Sequence, residues 1–150
     1  WDSVEAAGVL APPYHETTPP PTLLQAGLGD VIVPALAAEA LARAYNATLS
    51  PNAPHDVFGL TRMEDSNRVL TELVYDEIYE RLPLWNIQPP ANDIQYCLRY
   101  DPAIIDQIAL FVNTGVFKDI CMKNSCHRST EDIYRTSRCE KSRMNHSSSP

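Results

Sequence analysis

Four cysteines are the residues whose type and spacing point most directly to chemistry. Cys97, Cys121, Cys126 and Cys139 follow the pattern Cys-x23-Cys-x4-Cys-x12-Cys. An even number of cysteines so placed fits structural disulfides, and four allow three connectivities, among which sequence does not choose. Each bridge would add about 2–4 kcal/mol by restricting the unfolded chain. Cys121, Cys126, His127 and Cys139 also have the residue types of a tetrahedral zinc site. Against that, the gap of four is at the loose end of ligand spacing, and the adjacent Cys126 and His127 rarely reach one ion together. A redox pair would read Cys-x-x-Cys, which does not occur. No metal and no other cofactor is therefore expected.

His127 lies five residues before Asp132, and a disulfide beside such a pair is compatible with a small secreted hydrolase. Such an enzyme would also need an oxyanion site or a calcium loop, and no glycine-rich calcium loop is present. The chain has no Gly-x-Ser-x-Gly elbow, no phosphate loop of the Walker type, no paired-glycine dinucleotide fingerprint and no His-Glu-x-x-His. His55 follows Pro54 and reads as a loop residue. Carboxylate pairs such as Glu64-Asp65 and Asp76-Glu77 read as solvated surface. A binding protein is expected ahead of an enzyme.

The chain has 150 residues and a formal net charge of -7. Residues 1–110 hold five basic and fifteen acidic side chains, whereas residues 111–150 hold seven basic and four acidic ones. An acidic body is a poor match to a phosphate backbone, so nucleic acid is not an expected partner. The longest apolar stretch, Leu23 to Leu49, is interrupted by Gln25, Asp30, Pro34, Glu39 and Arg43, so no membrane span is expected. Asn46-Ala47-Thr48 and Asn145-His146-Ser147 match the N-glycosylation acceptor pattern, and Asn124-Ser125-Cys126 is a rarer variant. A start at Trp1 reads as a processed form. With the cysteines and sequons, this gives an expected secreted, extracellular or lumenal glycoprotein.

The elements expected to carry these residues are helices. Residues 1–29 read as an extended arm, because Pro12, Pro13, Pro19, Pro20 and Pro21 favour polyproline II. Asp30 is an expected N-cap for an Ala-rich helix reaching Asn46, with Leu36, Ala37, Ala40, Leu41 and Ala44 at helical spacing. Ser66 would cap a helix over 66–82, in which Val69, Leu70, Leu73, Val74, Ile78 and Leu82 form one stripe. Glu72 falls on its polar side, and Tyr75 and Tyr79 border the stripe. The prolines at 83, 89 and 90 make a rigid connection carrying Trp85. Asp101-Pro102 signals a further helix that Gly115 ends. A short helix over 116–126 and a last one over 130–141 complete the set. Strand patterns are scarce, with 93–100 the best and a weak one.

The expected fold is all-α, an irregular bundle of four to five helices. A Pro-rich arm (1–29) precedes the helical domain (30–141), whose C-terminal part is tied by disulfides, and a polar tail (142–150) follows. The expected function is protein–protein interaction, as an accessory subunit of a secreted or surface complex or as a receptor ligand, in a hetero-oligomeric assembly. Tyr14, Tyr75, Tyr79 and Trp85 are its candidate contacts, because Trp and Tyr most often dominate interfaces. The hydrolase using His127 and Asp132 is one alternative, and an intracellular subunit of a large assembly is another.

Overall fold

A computed structural model describes residues 20–75, 94–121 and 126–129, with the backbone alone at Tyr96 and Cys97. Its centre is a parallel sheet. Strand β1 (Thr22–Gly27) runs beside β3 (Arg68–Tyr75), from Thr22 opposite Arg68 to Gly27 opposite Leu73. The two-residue strands β2 (Thr48–Leu49) and β4 (His127–Arg128) also pair with β3 in parallel. Alternate residues of a strand direct their backbone groups to opposite edges. The Leu73 carbonyl accepts from Leu28 N on the β1 edge. The Leu70 carbonyl accepts from Ser50 N at 2.9 Å, and Val74 N donates to the Cys126 carbonyl at 3.0 Å. Leu70 and Val74 have the same parity, so β2 and β4 lie one beyond the other on the edge opposite β1.

Three helices complete the described elements: α1 (Ala35–Ala44), the one-turn α2 (Ile94–Leu98) and α3 (Pro102–Thr114). They cover both faces of the sheet. On one face Leu70 packs with Ala26, Ala42, Ala47, Leu49, Ala53 and Val57. The small alanines of α1 let that helix lie close. On the other face Leu73 and Tyr75 pack with Ile94, Ile104, Cys121 and Cys126. The architecture is a parallel sheet between helical layers, which is mixed α/β.

This corrects the all-α bundle, and the main error lies in 66–82. Residues 68–75 form a strand, while the remainder of that segment lies outside the described residues. Val69, Leu70, Leu73 and Val74 satisfy helical spacing, but they also make up most of a short apolar run. A parallel strand covered on both faces reads as such a run, and periodicity cannot separate it from a buried helix. Seven of the eight residues of β3 are buried. The arm is corrected at its end as well, since 22–27 pairs along the whole of β1. The expected weak strand near 93–100 is helical over 94–98, and 116–121 has no helix.

Other expectations hold. Helix α1 forms, although Asp30 caps the preceding turn instead of the helix, accepting from Ile32 N and Val33 N at 2.8 and 3.1 Å. Helix α3 has Asp101 as its N-cap, accepting from Ala103 N at 3.0 Å, and ends on Gly115 at φ 69°. Two glycines shape the turn after β1. A Cβ at Gly27 would stand against the Ile94 side chain of α2, and Gly29 has φ 84°.

Candidate functional site

The carboxyl ends of β1, β2 and β3 point to one edge of the sheet, which is the edge where open α/β sheets bind their ligands. Glu72 lies there. It is opposite Ala26 near the end of β1 and two residues past Leu70, the last partner of β2. Its side chain points to the α1 face, as does that of Leu70. That side chain has no exposure, and neither carboxyl oxygen has a hydrogen-bond partner among the described residues.

Two other elements bring polar groups to it. Helix α1 carries Glu39 in its second turn. The loop after β2 carries His55. His55 Nδ1 is 3.6 Å from Glu72 Oε2, and His55 Nε2 is 4.0 Å from Glu39 Oε1. Exposure falls inward through the group, from 33% for the His55 side chain to 17% for Glu39 and none for Glu72. Burial, reinforced by the nearby negative charge of Glu39 and partly offset by Arg62, pushes the Glu72 carboxyl up to about 8.

Arg62 holds the loop that presents His55. Its Nη1 donates to the carbonyls of Pro51 and Ala53 at 2.8 and 2.9 Å, and its Nε donates to Asp56 Oδ1 at 2.9 Å. Ser50 begins this loop, and its hydroxyl is also buried with no partner among the described residues. From the other side of the loop, Asn52 Nδ2 donates to Asp119 Oδ2 at 2.8 Å.

Of the residues singled out from sequence, Cys121 and Cys126 are joined in a disulfide. Their sulfurs are therefore not free to ligate zinc. Cys139 lies outside the described residues, as does the side chain of Cys97. His127 is exposed on β4 and lines an open groove of about 730 Å³ with Asp106, Lys118 and Arg128. The described lining of that groove offers no hydroxyl or free thiol, and Asp132 lies outside the described residues. Tyr75 is 1% exposed and sits in the core beside Leu73 and Ile94. Its burial raises the phenol well above the usual range, with Asp101 adding to the shift. Asn46 is exposed just past α1 with φ 49°. Tyr14, Tyr79, Trp85, Asn124 and Asn145 lie outside the described residues.

The Glu39–His55–Glu72 group is not visible in the sequence, which places Glu72 on the polar side of a helix and His55 in a loop. The signal available was a carboxylate inside a run of apolar residues, once that run is read as a strand. No helix among the described residues is long and apolar enough to cross a membrane. Fold and site together place the chain in the class of α/β domains with a polar cluster at the carboxyl edge of a parallel sheet. Comparison with protein-family models, curated proteins and solved structures finds no match.

Proposed function

We propose that this chain is a small-molecule-binding α/β domain whose ligand sits against Glu72, His55 and Glu39. One observation carries this reading. Glu72 is a carboxyl with no exposure and no hydrogen bond among the described residues, at the sheet edge where ligands of this architecture bind. Burying a polar group without a partner costs about 1–3 kcal/mol. Leu70 and Val74, the neighbours of the same parity on β3, show that aliphatic side chains fit this strand. A residue with a purely structural task would be one of those. An oxidising compartment, secreted, extracellular or lumenal, fits the Cys121–Cys126 disulfide.

Protein-detected NMR with a panel of polar small molecules tests the site, run with chelator and again with ZnCl2. Shifts of the Gly29, Ser50 and Ala53 amides are expected. A panel that perturbs none of them under either condition overturns the reading.

A second reading, protein–protein interaction within a hetero-oligomeric complex, is favoured by helix α3. Ile105, Ile108 and Val112 are spaced along one side of it, with Val116 just beyond its end, and all four are 43–76% exposed. Contiguous exposed apolar side chains of this kind mark contact surfaces. Ile108→Lys would abolish co-purification with a native partner on this reading and leave the Glu72 edge unaffected. Retained co-purification removes α3 from consideration.

A further inference from the structure

We propose that Glu39, His55 and Glu72 are the protein ligands of a divalent transition-metal ion at the carboxyl edge of the sheet. The proposal rests on the ligand-binding reading above and states what that edge takes.

One ligand atom from each residue lies within 4.8 Å of the other two. An ion with Zn–N and Zn–O distances of ~2.0–2.1 Å places neighbouring tetrahedral ligands ~3.3 Å apart. His55 Nδ1 is already 3.6 Å from Glu72 Oε2, whereas the 4.0 Å approach of Glu39 is to the other ring nitrogen, Nε2, so Glu39 has the larger move to make. Rotamer adjustment of Glu39 and His55, the two partly exposed members, closes the remainder. Glu72 is the fixed member, because β3 is paired on both edges. The two carboxyl oxygens of Glu72, which have no hydrogen-bond partner among the described residues, are the independent sign that a cation belongs here, since metal coordination is one of the ways a buried carboxylate is satisfied.

The donor set indicates the class of ion. Two carboxylates balance a divalent charge and suit manganese, and an imidazole favours zinc or iron(II) over calcium, which takes six to eight oxygens. Three protein ligands leave a coordination position for water or for the bound molecule. His55 presents one ring nitrogen to each carboxylate, so a metal takes one nitrogen and leaves the other to hydrogen-bond. Glu39 is also 3.9 Å from Arg43, one helical turn on, and gives up that weak pair on swinging toward the ion.

The experiment is calorimetric titration of the chelator-stripped full chain with ZnCl2 and with MnCl2. Co2+ absorption serves as a second readout of coordination. One ion per chain is expected. His55→Ala and Glu72→Gln should each weaken binding by more than the ~10–100-fold that loss of an outer partner costs. Circular dichroism confirms that both variants fold, and Glu64→Gln, a change at an exposed acid elsewhere, should bind as the parent does. No saturable binding of either ion, or parent-like affinity in His55→Ala, overturns the metal site. The latter result would mean that the ion binds without His55. Amide shifts at Gly29 and Ser50 in the chelator arm of the NMR panel would keep the ligand-binding reading while the metal site alone fails.

Discussion

Gln107 and Glu72 are both buried polar side chains, on opposite faces of one sheet, and their surroundings differ completely. Gln107 is 1% exposed, and its amide is fully engaged. Its Nε2 donates to the Lys118 carbonyl at 2.7 Å and to Thr71 Oγ1 at 3.4 Å, while its Oε1 accepts from Gln25 Nε2 at 2.6 Å. Those bonds tie α3, β1, β3 and the segment after α3 together. Nearby, Asp101 accepts two bonds from Arg128, at 2.7 and 2.8 Å, and the Cys121–Cys126 disulfide closes the same side. The Glu72 face has a carboxyl with no hydrogen bond among the described residues and an imidazole at 3.6 Å. The difference separates two uses of buried polarity. A satisfied network fixes the position of elements, whereas an unsatisfied group keeps binding capacity in reserve.

The largest effect should come from breaking the satisfied side. Arg128→Ala leaves Asp101 buried with an uncompensated charge, and urea unfolding should show a loss of about 3–5 kcal/mol. A loss under 1 kcal/mol would show that water reaches Asp101 and that this face is open to solvent.

Comparable in size at its limit is the pH response of the other face. The folded Glu72 pKa, about 8, lies above its ordinary value of 4.5. The folded chain thus holds a proton that the unfolded chain releases between those values. Stability is fully present below about pH 4.5 and declines as pH rises toward 8, by up to tenfold in the folding equilibrium per pH unit. Glu39, His55 and Arg62 are the charged or titratable groups facing it. Glu72→Gln should match the parent at pH 4.5 and exceed it increasingly up to pH 8, in chelator. Parallel pH profiles for the two proteins would place Glu72 in contact with solvent.

Gln107→Leu removes three hydrogen bonds and strands Thr71, Gln25 and the Lys118 carbonyl, so about 2 kcal/mol should be lost in the same assay. Ser50→Ala is the smallest change. It deletes a buried hydroxyl that has no partner among the described residues, and stability should move by less than about 0.5 kcal/mol or rise slightly. A loss above 1 kcal/mol would mean that the Ser50 hydroxyl is engaged and that the two faces differ less in polar satisfaction.

Local signals were legible where short-range chemistry decides structure. Asp101-Pro102 and Gly115 marked both ends of α3, because an N-cap, a first-turn proline and a left-handed glycine act within a few residues. The Ala-rich segment marked α1 for a similar reason. The sheet was not legible. β1 falls in a segment read as an arm because of the prolines just before it, and β2 is only two residues long. Parallel strands are joined through crossovers, so no hairpin turn announces them. The candidate site shared that fate, since Glu39, His55 and Glu72 are spread over 34 positions and share no motif.

By itself, the sequence determined what neighbouring residues can decide: the caps and stop of α3, the helical run of α1, the acidic balance, and cysteines spaced for a disulfide. Tertiary structure decided that 68–75 is a strand, because pairing on both edges and cover on both faces outweigh helical spacing in a short apolar run. By the same step it turned Glu72 from a presumed surface charge into a buried carboxyl at the edge of a parallel sheet. Side-chain environment depends on which segments pack together, and that is a property of long-range contacts that no local pattern carries.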